Sequence, residues 1–114
     1  MSLERTLHHF PLDPASRTVR LALGEKRLAF SENAVKYWER PKELTAMNAS
    51  GLIPVLVETD GDAQLVLCES RAILDHVEET APEPALLGRD PQERAEARRL
   101  MSWFERKFEY EAGG

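Results

Sequence analysis

SGLIPVLVETDGDAQLVLCESRAILDHV, residues 50–77, is the stretch that decides the fold. It holds two short apolar runs, a turn between them and the opening of a helix. Ile53-Pro54-Val55-Leu56-Val57 is rich in β-branched residues and reads as a strand. Asp60-Gly61-Asp62 tolerates positive φ and predicts a tight hairpin. Leu65-Val66-Leu67-Cys68 is the returning strand. From Glu69-Ser70 onward, Ala72, Ile73, Leu74 and Val77 recur at helical spacing. Two residues stand out chemically. Pro54, at the head of the first strand, removes a backbone donor and restricts Ile53 to an extended conformation. A trans bond would make it an ordinary strand-opening proline, whereas a cis bond would free the Ile53 backbone to pair outside the sheet. Ser70 sits where a helix begins. It reads either as a cap, worth about 1 kcal/mol, or as part of an anion site built on the free N–H groups of that helix.

Outward from this centre, composition sets limits. The chain has 114 residues, 42% of them hydrophobic, and a net charge of −5. That is enough for one modest core. The basic residues are scattered and outnumbered, which argues against a nucleic-acid or anionic-membrane surface. Cys68 is the single cysteine, so no internal disulfide is possible and secretion gains no support. No run approaches the roughly 20 apolar residues of a membrane span, and Leu7-His8-His9-Phe10 is too short and polar for a signal peptide. A cytoplasmic protein is the expectation.

Thr6-Leu7-His8-His9-Phe10 reads as a first strand, with Leu7 and His9 on one face. Adjacent histidines point to opposite faces and no third ligand is near, so no metal site is expected. Asp13-Pro14 fits an N-cap followed by proline at the first helical position. In the helix that follows, Ala15, Val19, Ala22 and Leu23 form the apolar stripe, and Arg17, Arg20, Glu25 and Lys26 are expected to face water. Leu28-Ala29-Phe30 begins a second strand reaching about Val35. Pro41–Met47 predicts a short helix ending at Asn48. Cys68 is read as a small core hydrophobe and His76 as packing. Pro82-Glu83-Pro84 breaks the chain, and Asp90-Pro91 opens a final helix to about Tyr110. Its stripe is Ala97, Leu100, Met101, Phe104 and Phe108, widened by Trp103.

Ile-Pro-Val-Leu, a hairpin, then Glu-Ser-x-Ala-Ile before a helix resembles the glutathione site of glutathione S-transferases. The run Pro11-Leu12-Asp13-Pro14-Ala15-Ser16-Arg17-Thr18-Val19-Arg20 is similar to that family's first loop and helix. The resemblance implies an α/β fold: a thioredoxin-like β-α-β-α-β-β-α domain, followed by one long helix of an all-helical domain that is otherwise missing. The implied divisions are 1–80 for the glutathione-binding domain, 81–90 for a linker and 91–114 for the incomplete helical part. It implies a cis Ile53-Pro54 bond, with Ile53 and Pro54 placing the cysteinyl part of glutathione. Glu69 and Ser70 would hold the γ-glutamyl end. Arg40, with Lys42 second, would reach the glycine carboxylate. Glutathione is then a co-substrate whose thiolate attacks a hydrophobic electrophile, and the protein is a homodimer.

Two residues depart from the family pattern. Asp13 stands at the family's catalytic position, where a serine or cysteine would help the thiolate. A free thiol has a pKa of about 8.5, and an adjacent carboxylate disfavours its ionisation. Asp13 is therefore read as the N-cap, with Ser16 or loop amides left to stabilise sulfur. The absence of cysteine from this loop excludes Cys-x-x-Cys redox chemistry. Leu52 occupies a place where relatives carry a polar group. These departures keep two alternatives in view: a non-catalytic binding or interaction module, and a glutathione-dependent isomerase.

Overall fold

The computed structural model describes residues 3–81, 83, 85, 86, 90–99 and 102. In chain order the elements are β1 (Leu3–His9), α1 (Pro14–Glu25), β2 (Ser31–Ala34), a single 3-10 turn (Tyr37–Glu39), α2 (Lys42–Met47), β3 (Val55–Asp60), β4 (Ala63–Cys68) and α3 (Ser70–Thr80). A further helix, α4, covers 91–99. The sheet order is β2-β1-β3-β4. β1 runs parallel to β2 and antiparallel to β3, with Leu7 opposite Leu56. β3 and β4 form the hairpin expected from Asp60-Gly61-Asp62, with Gly61 at φ 62°. This is a mixed α/β, thioredoxin-like arrangement.

β3 is buried on both faces, and its alternating side chains divide the core in two. Leu7 and Leu56 meet Val19, Ala22 and Leu23 of α1 and Ile73, Leu74 and Val77 of α3. On the other face Val55 and Val57 meet Leu44 of α2 and Val35. Cys68 packs partly buried against this second cluster, as its apolar setting suggested. Burial pushes its thiol up, and the neighbouring Glu69 adds to the shift.

Several sequence expectations need correction. Ser16, not Ala15, takes the first buried position of α1, and Ala15 is only half-buried. The strand after α1 starts at Ser31, not Leu28. The reason lies in how α1 ends: Arg27 adopts φ 56°, the Leu28 N–H returns to the Leu23 carbonyl and the Arg27 N–H to that of Gly24, both at 3.0 Å. This helix-ending motif turns Leu28 back onto Leu23. Leu28 and Phe30 thus pack on the core from outside the ladder. Lys26, expected in water, is fully buried: its Nζ lies 2.6 Å from Glu78 Oε1, and the two side chains are 0% and 4% exposed. His76 does more than pack. Its Nε2 is 2.7 Å from Glu58 Oε1, while Glu58 Oε2 accepts from Arg5 Nε at 2.9 Å. This group ties β1 and β3 to α3.

Asp90 caps α4 as expected, its Oδ1 accepting the Glu93 N–H at 2.8 Å. Ala97 packs against the first core, and Arg98 meets Asp75 of α3 at 2.6 Å. Leu100, Met101, Trp103, Phe104 and Phe108, the rest of the expected stripe, lie outside the described residues.

β1 delivers one buried base. His9 is 3% exposed, and its Nδ1 has no partner. Burial holds its pKa below the ordinary 6.5; Glu32 raises it and Arg20 lowers it by smaller amounts. A base depressed in the folded state takes its proton more readily when unfolded. Its contribution is therefore intact above pH 6.5, is lost as pH falls below that value, and levels off beneath the folded pKa. Denaturant midpoints at pH 8 and pH 5 test this. His9→Gln is expected to lose less stability over that interval than the unsubstituted protein; an equal loss would remove His9 from the account.

Candidate functional site

The Ile53-Pro54 peptide bond is cis. The β1–β3 ladder begins at Val55, so the Ile53 backbone N–H and C=O are not committed to it. Pro54 is buried between Ile53 and the first ladder residue. Immediately across from this bend, the chain leaves β4 and enters α3. Glu69 makes the connection at φ 73° and occupies the N-cap position, without a side-chain cap hydrogen bond. Its carbonyl accepts the Ile73 N–H at 3.1 Å, which starts the helix. Ser70 is therefore the first helical residue rather than the cap, and it is 7% exposed.

These segments enclose a cavity of about 310 Å³ lined by Ala15, Asn48, Ser50, Leu52, Ile53, Pro54, Glu69, Ser70 and Arg71. The first turns of both α1 and α3 contribute to its wall, and neither carries an acidic side chain. Two positive helix ends at one cavity favour anionic groups. Beside the α3 end, the exposed Glu69 carboxylate suits an ammonium. The cavity thus offers complementary partners for a zwitterionic amino-acid end, with peptide-like backbone at Ile53 nearby.

Asp13 is the N-cap of α1. Its Oδ2 accepts from both the backbone N–H and the Oγ–H of Ser16, each at 2.8 Å. Ser16 Oγ in turn accepts the Phe10 N–H at 3.4 Å, and Ser16 is 0% exposed. The structure thus places Ser16 beneath the loop, occupied with Asp13 and Phe10, rather than at the cavity wall. Ala15 is the α1 residue that reaches the cavity.

Arg40 lies at the rim and is not part of the lining. It adopts φ 50°, and its Nη1 donates to the Ser50 carbonyl at 3.3 Å. Gly51 permits this approach: at φ 71°, a Cβ there would come within 2.8 Å of the same nitrogen. Lys42 is exposed in the first turn of α2. Leu52 is 58% exposed at the cavity, and local polarity is supplied by its neighbours. Asn48 Nδ2 donates to the Leu52 carbonyl at 3.1 Å, and the Leu52 N–H donates to Ser50 Oγ at 3.3 Å.

Sequence reasoning missed Asn48, Ser50 and Arg71. The Asn-x-Ser run after α2 was a legible turn signal. Arg71 had no local signal, because its partner is distant in the chain: its Nη2 donates to Ser102 Oγ. Among the described residues, no group of three or more His, Cys, Asp or Glu side chains is close enough to hold a metal ion. No helix among them is long and apolar enough to cross a membrane.

A fold with this cavity belongs to a known class. Residues 7–85 match the glutathione S-transferase N-terminal domain, and the chain belongs to that family. It is 69% identical over 114 residues to FtsZ-localized protein A of Caulobacter vibrioides, covering all of this chain and 50% of that protein. A glutathione S-transferase structure from Rhodospirillum rubrum superposes with a TM-score of 0.82 at 45% identity, covering 93% of this chain and 46% of that one. A maleylacetoacetate isomerase from Anaeromyxobacter dehalogenans, solved with glutathione in its active site, superposes with a TM-score of 0.72 at 32% identity, covering 87% and 47%. The chain spans about half the length of the curated relatives it matches.

Proposed function

We propose that the protein binds glutathione in the cavity between α1, residues 48–54 and α3, as the N-terminal part of a cytoplasmic, homodimeric glutathione transferase. The observation that carries this reading is that Ile53-Pro54, at the head of β3, and Glu69-Ser70, at the start of α3, line one cavity. Ser70 and the α3 amides take the γ-glutamyl carboxylate, and Glu69 takes its ammonium. The Ile53 backbone pairs with the cysteinyl unit. Arg40 and Lys42 offer charge to the glycine end. The sulfur then lies toward the first turn of α1, where the helix end favours thiolate. The reaction is thiolate attack on a hydrophobic electrophile: the S–H bond breaks and its proton passes to solvent, a C–S bond forms, and the electrophile's leaving group departs to solvent as an anion with the electron pair of the bond it leaves. Isomerisation through a transient glutathione adduct is an alternative use of the same site.

In this reading Asp13 shapes the loop and does not activate sulfur. Asp13→Ser keeps a capping oxygen and removes a negative charge that opposes thiolate. Turnover of a generic aromatic electrophile with glutathione is expected to be unchanged or higher in this variant. Loss of turnover in a folded Asp13→Ser protein would assign the carboxylate a direct role and reject this reading.

A second reading, a glutathione-fold interaction module without chemistry, is favoured by Asp13 at the position of the usual hydroxyl or thiol. The similarity to a protein described as FtsZ-localized supports it. It predicts that the protein pellets with purified, polymerised FtsZ whether or not glutathione is present. Retention in the supernatant would count against it.

A further inference from the structure

We propose that the end of the sheet where β1 and β2 finish carries a docking surface for an acidic protein segment bearing an apolar anchor. The inference rests on the interaction-module reading and requires no glutathione. Phe10, just beyond β1, meets Tyr37 and Trp38 edge-on, with ring centroids 6.2 and 4.9 Å away, and the last two rings are 5.3 Å apart. Three mutually supporting rings give a stiff apolar platform that loses little entropy when covered. A cluster made only to close a core would be covered. Here Trp38 remains 55% exposed, and Leu12, two residues beyond Phe10, is 83% exposed. Exposed aromatic clusters rimmed by charge are the usual anchors of protein interfaces.

The rim selects the partner. The two segments that build this surface, residues 11–20 and 36–42, carry Arg17, Arg20, Lys36, Arg40 and Lys42. Their acids are Glu39 and Asp13, with Asp13 engaged in the α1 cap. The flanking acids are the exposed Glu43 in the first turn of α2 and Glu32 on β2, so the five bases outnumber the three remaining acids. A chain with a net charge of −5 thus presents a locally cationic face around Trp38, the most exposed aromatic ring among the described residues. Such a patch attracts a short acidic segment through local complementarity. Long polyanions and anionic membranes would meet the repulsion of the remaining surface. The aromatic turn Tyr37–Glu39 is three residues long, too short to lie in a bilayer as an amphipathic helix.

The test uses isotope-labelled whole chain and three probes: a synthetic Asp/Glu-rich peptide with a central Phe-Leu, the same peptide with Lys at every acidic position, and phosphatidylglycerol vesicles. The acidic peptide is expected to shift the Trp38 indole and Leu12 methyl resonances. Its affinity should fall at least about tenfold in Trp38→Ala, and should also fall in the Lys36→Glu/Lys42→Glu pair, which leaves the rings in place. No shifts at millimolar peptide, an equal response to the lysine peptide, shifts confined to the Ile53–Ser70 cavity, or preferential vesicle binding would each overturn the proposal. Failure to pellet with FtsZ, while the acidic peptide still binds at Trp38, would remove that partner and leave the surface standing.

Discussion

Lys26→Ala is expected to lower the unfolding free energy by about 3–5 kcal/mol, the usual consequence of removing one partner from a buried ion pair. The side chains of Lys26 and Glu78 are 0% and 4% exposed, with Nζ and Oε1 2.6 Å apart. Lys26 Nζ also donates to the Ala81 carbonyl at 2.6 Å, and Glu78 Oε1 accepts the Leu86 N–H at 3.0 Å. One ion pair thus fastens the end of α1 to the end of α3 and to the chain leaving it. Removing the ammonium leaves a buried carboxylate to be accommodated, which costs far more than an exposed pair is worth. Against a total of about 5–15 kcal/mol for a small domain, the change is large. The double variant Lys26→Met/Glu78→Leu removes both charges and keeps volume, so most of the loss should be recovered. Urea unfolding of the three proteins tests both statements. A loss below about 1 kcal/mol in Lys26→Ala would mean that the pair behaves as an exposed one.

Ser70→Ala is expected to weaken glutathione binding by about tenfold or more, the effect of losing a charge-assisted hydrogen bond worth roughly 1.5–3 kcal/mol. Glu69 and not Ser70 occupies the N-cap position of α3, so the substitution removes no capping residue. Calorimetric titration with reduced glutathione, beside urea unfolding, separates the two effects. Equal affinities would remove Ser70 from the site, and a stability loss matching the affinity loss would make its role structural.

The parts of this molecule that local backbone rules determine were legible in the sequence. Asp13-Pro14 and Asp90-Pro91 announced helix starts and Asp60-Gly61 a hairpin, whereas the pairing of Ile-Pro with Glu-Ser at one cavity was implied only by the resemblance to the transferases. What escaped were contacts between residues far apart in the chain. Lys26 looked like a surface charge because lysine almost always is one; its partner lies on another helix. His76 looked like filler because Glu58, its partner, sits in a strand whose apolar pattern drew attention first. Leu28-Ala29-Phe30 resembled a strand by composition, yet the left-handed turn at Arg27 diverts it onto the core. Ser16 was a reasonable hydroxyl to consider. Only the folded loop shows that it is spoken for by Asp13 and Phe10.

The central claim is that the cavity between the cis Ile53-Pro54 bend and the start of α3 holds glutathione. Titration of isotope-labelled protein with reduced glutathione, read by amide chemical shifts, tests it most directly. The expected result is a saturable set of shifts centred on Ile53, Glu69, Ser70 and Arg71, abolished or strongly weakened in Ser70→Ala. Contradiction would be no saturable shift at millimolar glutathione, or shifts confined to the groove between Leu21, Leu74 and Leu86 on the α1–α3 side.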